Sequence, residues 1–412
     1  MVGYTSKTNL RTIFFFLIMI PFFKPIGLAT IPLCNRVYQI WKMLSMLGMA
    51  SLLARRRSIW KVMWNHVEII GFMLFGLIYV FNCLRFHTPV VDLVNNLITD
   101  FMLFIFVLGV ISSSHAVIEN YLCALRFLFS LLIFLQVVSV VLVRNSIIEF
   151  SIIEDDYYYL FGTDNYSAFT LVPMIVVVMY IDTLLEQTRG KISYTTIILY
   201  VMLSLSYLYM HSIAAAGSCL ILGLFLVVTK SKHMLLRLIN AKSMLALGAI
   251  MLVLILKFDF HNLFAAFIAD QLGKGEIKAL TLNSRTIIWS DAVDLILRKP
   301  IFGWGELSQK AIDDYVLYGV EHAHNILLEL WMRTGIVGAT SYIVFLLAPF
   351  KHDSKWLHKS RARILAIGML SYIALCMLDA YPTMQCQYVL LALLYGWREL
   401  EVKFIPRLRV LK

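Results

Sequence analysis

The sequence predicts an all-α fold, a polytopic helical bundle spanning a membrane, and three observations predict it. Of 412 residues, 60% are hydrophobic and 15% charged, with a mean hydropathy of +0.79; a soluble domain lies nearer half apolar and a quarter charged. Apolar runs of roughly a span's length recur down the chain, separated by short charged stretches. The formal net charge of +11 would suit nucleic acid, but the lysines and arginines cluster between the apolar runs, as the positive-inside rule requires. Nucleic acid is therefore not an expected partner.

The expected spans follow in order, about twelve of them. The first covers residues 12–31 and is interrupted by Pro21 and Pro25. The second, 36–54, is closed by Arg55, Arg56 and Arg57; the third and fourth are 67–84 and 97–111, and the fifth is 121–143. An acidic loop with Glu149, Glu154, Asp155, Asp156 and the tyrosines Tyr157 to Tyr159 leads to spans at 166–186, 194–210, 212–229 and 243–258. A non-membrane insert occupies 259–321, and the last spans are 322–350, 363–379 and 385–397. The organisation expected is thus 1–258 with spans one to nine, 259–321 as an extracytoplasmic loop, and 322–412 with spans ten to twelve and a basic tail.

With both termini inside, the cytoplasmic loops hold Arg55 to Arg57, Lys61, Arg189, Lys191, Lys230, Lys232, Lys351 and Lys355, among others. The outer short loops hold few cations, such as Lys24, Arg85 and Arg144, and this asymmetry sets the orientation. The region 194–229 must be split in two; read as one helix, it would put basic loops on both sides. No cleavable signal peptide is expected, because the first apolar run leads into further spans. The six cysteines lie in or beside apolar segments without a CxxC pair, so packing is expected of them rather than disulfides or zinc.

The insert is expected to be structured. Asn283 or Ser284 can cap a helix whose apolar positions Ile287, Ile288, Val293, Leu295 and Ile296 mix with Asp291, Asp294 and Arg298. Pro300 ends it, and Gly303 and Gly305 permit a tight turn. The helix is expected to lie along the outer surface, with Trp289 and Trp304 at headgroup depth.

His324 is the first candidate for chemistry. It opens an apolar helix at the outer surface, where a neutral imidazole can take a proton from a sugar hydroxyl; a capping or interfacial role is the competing reading. Glu321 and His322 sit beside it as candidate substrate-binding residues, and with Asp313 and Asp314 they raise a metal site. No HExxH pattern or third histidine follows, so no metal is expected. Arg285 places a planar fork suited to phosphate at the start of the insert's helix; a headgroup anchor or a salt bridge to Asp291 or Asp294 is equally open. Asp379 stands at the outer end of the eleventh span, on the side of His324, where it can orient an imidazole or bind a sugar hydroxyl. Asp100 and Arg126 are expected to pair across spans, and Glu329 and Arg333, four apart, to form a structural pair. The tyrosines of the acidic loop can stack on sugar rings. There is no P-loop, Rossmann glycine motif, nucleophile elbow or EF-hand, so no cofactor is expected.

His324-Asn325, nine residues, then Gly335-Ile336-Val337-Gly338 resembles the HN-x9-GxxG signature of the superfamily of O-antigen ligases and polysaccharide polymerases. Ser284-Arg285 with Trp289, the turn from Pro300 to Gly305, and the twelve-span layout with a long outward loop are similar to that family too. The resemblance implies a GT-C-like fold in the inner membrane and a donor glycan on undecaprenyl pyrophosphate. It further implies an inverting, metal-independent transfer on the extracytoplasmic side, with His324 activating the acceptor hydroxyl and Arg285 binding the pyrophosphate. Asp379 falls near an acidic position seen in some members. The chain departs from the family where many members carry a Ser-Arg or Thr-Arg pair: residues 211–217 hold no arginine, so a second pyrophosphate-binding cation is either missing or supplied from elsewhere, with Lys274, Lys278 and His211 as the candidates. The expected partners are the lipid-linked donor, a glycan or lipid-linked acceptor and membrane lipids, with a chain-length regulator and a flippase as further candidates. The leading expectation is a polymerase of O-antigen, capsule or exopolysaccharide repeat units. A ligase to lipid A-core is the runner-up and a flippase or transporter of the same lipid-linked sugars the rival.

Overall fold

The computed structural model describes residues 10–29, 31–54, 66–88, 90–145, 158–185, 191–231, 236, 239–258, 277–307, 322–350, 360–379, 381 and 384–405, for 29, 164, 230–231, 247, 251–252, 254–258 and 277–287 in the backbone alone. Among them are fifteen α-helices. In order they are α1 (Leu10–Met19), α2 (Ile26–Ala29), α3 (Pro32–Ala54), α4 (Glu68–Arg85), α5 (Val91–Ile111), α6 (His115–Arg144) and α7 (Asp164–Leu184). There follow α8 (Tyr194–Tyr209), α9 (Ile213–Ser231), α10 (Ala241–Phe258), α11 (Ile277–Arg298), α12 (Ile326–Leu347), α13 (Arg363–Cys376), α14 (Gln385–Tyr395) and α15 (Trp397–Phe404). The one β feature among the described residues is an isolated bridge between Tyr159 and Gly162.

Among the described residues, six helices are long and apolar enough to cross a membrane: α3, α4, α5, α6, α7 and α12. Six shorter apolar segments, of 10–17 residues, stand where the other expected spans lie. The chain is therefore a polytopic helical membrane protein. The region 194–229 divides into α8 and α9 at His211, whose φ of +60° turns the backbone out of the helix. Several helices begin before the apolar run that announced them. Thus α5 starts at Val91 and α6 at His115, because a polar first turn carries the helix beyond the hydrocarbon-compatible stretch.

The core follows from which helices are apolar on every face. α7 is 94% buried and sits at the centre, against α6, α13 and α14. α3 lies at the opposite extreme, 11% buried, with Leu33, Val37, Ile40, Leu44 and Leu47 facing outward. Those side chains can only be satisfied by lipid. One ion pair inside the bundle ties α6 to α7. Arg126 Nε lies 2.6 Å from Asp182 Oδ1, not beside Asp100 as the sequence suggested; Asp100 accepts from Gln385 Nε2 at 3.1 Å. The antiparallel course of α6 and α7 brings the start of one to the end of the other, whereas α5 packs on α14. The six cysteines are free thiols.

The element that positions the site is α12. Asn325, in extended backbone, caps it by accepting from Leu327 N at 3.0 Å and Leu328 N at 3.2 Å. Nearly three turns on, Gly335 breaks the helix with φ +63° and ψ −176°, a conformation open to glycine. Into this kink the Pro300–Gly305 turn inserts its main chain. Trp304 N donates to Met332 O (2.9 Å), Gly305 N to Arg333 O (2.8 Å) and Ile336 N to Pro300 O (2.8 Å). Asn82 of α4 closes the arrangement by donating to Phe302 O and, at 3.2 Å, to Arg333 O. The carbonyls and amides that the kink releases are thus satisfied without water.

Candidate active site

At one end of the bundle the end of α13, the starts of α7, α12 and α14, and the loop before α12 converge. The sequence His322-Ala323-His324-Asn325 forms that loop, and three anchors fix it. Trp289 Nε1 of α11 donates to Ala323 O at 2.8 Å, Ala323 N donates to Glu329 Oε2 at 2.7 Å, and Asn325 Nδ2 donates to Met377 O at 3.1 Å. Trp289 is 2% exposed. It is buried in protein and does not face outward: its indole N–H finds a partner under the loop, and the ring packs with Ala292, Leu295, Leu328 and Met332. Trp304 likewise turns inward, donating to Leu295 O at 2.8 Å, with Lys299 Nζ 3.5 Å from its ring.

His324 has φ +47°. A left-handed backbone costs a non-glycine residue about 1–2 kcal/mol, and such strain persists where the surroundings over-determine it, often at functional sites. The conformation turns the ring toward α13. Its Nδ1 lies 3.0 Å from Asp379 Oδ1, and His322 Nε2 lies 3.3 Å from the same oxygen. The two imidazole centroids are 4.2 Å apart, and Tyr381 closes the other side of His322 at 5.1 Å. Burial pushes the Asp379 carboxyl upward, but the two imidazoles of His322 and His324 beside it outweigh that and hold it well below the usual carboxylate range. Asp379 is therefore ionised across neutral pH. A depressed carboxylate stabilises the fold fully above the ordinary carboxylate range and loses that contribution as pH falls through its lowered value. Burial, with Asp379 nearby, pushes the Tyr381 phenol far up, so it stays protonated and can donate.

Below the loop lies a second charged cluster. Arg333 pairs with Glu329 and Glu306 and donates to Tyr79 OH at 2.9 Å, and Tyr79 OH donates to Glu306 Oε2 at 2.6 Å. The expected pair of Glu329 and Arg333 is present, with Glu306 and Tyr79 added from distant parts of the chain. Because Glu329 also holds Ala323, the cluster braces the histidine loop. Arg333→Ala would leave Glu329, 2% exposed, as a buried unpaired charge. A loss of about 3–5 kcal/mol is expected, read as a lowered thermal midpoint in detergent, with Arg333→Lys intermediate.

His322, His324 and Asp379 place three possible metal-ligand atoms within 4.8 Å of one another. The third donor that the sequence reading sought in Asp313 and Asp314 is thus available from Asp379, 55 residues downstream of His324. The same spacing suits two imidazoles sharing one carboxylate oxygen. Glu321, Asp313, Asp314 and Lys274 lie outside the described residues. Arg285 and Lys278 fall in the backbone of α11, with their side chains outside the description. His211 is exposed at the turn between α8 and α9. Of the acidic-loop tyrosines, Tyr159 is 1% exposed and so closed to a sugar ring; Tyr157 lies outside the described residues.

The bundle and its convergent helix ends define a polytopic helical membrane protein with a histidine–aspartate cluster at one rim. Residues 174–343 match the model of the O-antigen ligase family, the family to which the HN-x9-GxxG pattern pointed. The matched stretch contains Arg285, His322, His324, Gly335 and Gly338, and ends before Asp379. No curated protein matches the chain.

Proposed function

We propose that the chain is a membrane glycosyltransferase that moves a glycan from undecaprenyl pyrophosphate to an acceptor sugar hydroxyl, as a polymerase of O-antigen, capsule or exopolysaccharide repeat units. One observation carries the reading: His324, in a strained backbone conformation, faces a buried ionised aspartate through Nδ1. With Nδ1–H donating to Asp379, the lone pair of Nε2 is left to accept a proton. The acceptor O–H gives that proton to Nε2 while its oxygen bonds to the anomeric carbon. The bond from that carbon to the diphosphate oxygen breaks, and the diphosphate leaves with the electron pair. Inversion follows from a single displacement. Asp379 stabilises the imidazolium as it forms, and His322 and the Tyr381 hydroxyl, on the same rim, are placed to bind sugar hydroxyls.

In this reading twelve helices cross the membrane in a GT-C-like arrangement, both termini are cytoplasmic, and residues 259–321 form the outer loop. Arg285, which is the ninth residue of α11 and not at its start as the sequence suggests, would hold the pyrophosphate. Arg285→Ala is then expected to raise KM for the donor more than Arg285→Lys does, since lysine keeps the charge and loses the fork; equal effects would remove the bidentate role.

The test is made with purified protein in nanodiscs and a labelled lipid-linked repeat unit. A ladder of extended products formed without any core acceptor supports the polymerase. Product formed only on adding lipid A-core makes the protein a ligase. Donor left intact in both arms ends the transferase reading.

A further inference from the structure

A second cavity, of about 730 Å³, opens at the same end of the bundle between α3, α5 and α14. Its polar lining includes Lys24, Tyr38, Lys42, Asn96, Tyr166 and Gln385, and its size suits a ligand site. Lys42 lies ten residues into a membrane-crossing helix, where an ionisable side chain is expensive and calls for a partner. It is attracted by Asp100 and repelled by Lys24. Asp100, fully buried, spends one oxygen on Gln385, and Lys24 donates to the neutral Asn35 at 2.6 Å. Two ammonium groups thus line one cavity, with the carboxyl of Asp100 buried behind Gln385 and not on the lining; Asp92, the acid on the lining, is exposed and weakened by solvent.

The imbalance is one of positive charge, in a chamber with one wall made by the lipid-facing helix α3. An anionic head on a long apolar tail meets both conditions. Tyr166 lines this cavity and lies 4.8 Å, ring to ring, from Tyr381, which touches His322. An anion held by the lysines would therefore sit one aromatic layer from the histidine cluster. Lys24, Lys42, Asp100 and Tyr166 all lie outside residues 174–343.

We propose that Lys24 and Lys42 form a cation site for the diphosphate of the lipid-linked donor, placing the carrier's head beside the histidine cluster. The proposal rests on the donor class given above.

It is tested by titrating the full chain, in phosphatidylcholine nanodiscs, with polyprenyl diphosphate. Variants Lys24→Gln, Lys42→Gln, the double variant and Lys42→Arg are compared. Each lysine removed should weaken Kd about tenfold, and both about a hundredfold, the loss of one or two charge-assisted contacts. Lys42→Arg should stay close to wild type, and polyprenol without phosphate should bind weakly in every variant. Unchanged affinity in the double variant overturns the proposal, as does equal lysine-dependent binding of phosphatidylglycerol, which would make this a general phospholipid site. Displacement by inorganic pyrophosphate only at far higher concentration supports a lipid-borne head. Should Lys42→Gln fail to fold, Lys24→Gln must still show its own loss. The glycan assay separates this site from the transferase reading: lysine-dependent binding without transfer sinks the latter alone, and transfer with lysine-independent binding sinks the former alone.

Discussion

His324→Ala is expected to reduce glycan transfer by about 10²–10⁴-fold, the range in which a positioned general base contributes, while leaving expression and membrane insertion intact. The separation of the two effects is what gives the experiment force. The ring of His324 is not part of the cap, which belongs to Asn325, nor of the loop anchors, which run through Trp289, Glu329 and Asn325. Alanine keeps the loop and removes the proton acceptor. Asp379→Asn should follow in the same direction by about 10²-fold, since an amide can neither fix the tautomer nor stabilise the imidazolium. The readouts are single-turnover rate for chemistry and size-exclusion profile for folding. A His324→Ala protein that still extends its donor at near the original rate would remove the imidazole from the mechanism.

Gly335→Ala is expected to cost about 3 kcal/mol or more and to lower the folded yield sharply, combining backbone strain with overpacking. A side chain there must adopt φ +63° and would meet the main chain of Ile301 and Phe302 inside van der Waals contact. Backbone cannot yield as a flexible side-chain end can. The control is Gly217→Ala in α9, where an added methyl meets nothing within 4 Å; there the helix should be unaffected or stabilised by up to about 1 kcal/mol. Thermal midpoints in detergent compare the two. Equal midpoints would mean that the clasp of the 300–305 turn on α12 is not what holds this end of the bundle.

Much of this fold could be read from hydropathy and punctuation. An apolar run beginning near His324 announces α12, and Gly303 and Gly305 mark a tight turn. Their meeting could not be read, because two local motifs do not say that one fills the gap left by the other. Nor could the approach of Asp379 to His324, a tertiary contact across 55 residues. Trp289 misled for a different reason. Its sequence neighbours are those of an interfacial helix, and only the position of the Ala323 carbonyl makes the ring a buried strut. Asp92, Asn95 and Asn96 read as loop before an apolar run, yet they form the first turns of α5 and line the second cavity. Hydropathy marks hydrocarbon, and a helix outlasts it wherever the adjoining space is wet.

The two-point attachment of α11 to α12 has a mechanical consequence. One fastening, Trp289 to Ala323, lies beside the histidine peptide; the other, the 300–305 turn, is locked into the gap at Gly335. Fastened at both places, this part of α11 cannot slide along α12 without breaking one set of hydrogen bonds, so the histidine peptide keeps its register against the helix that precedes the turn.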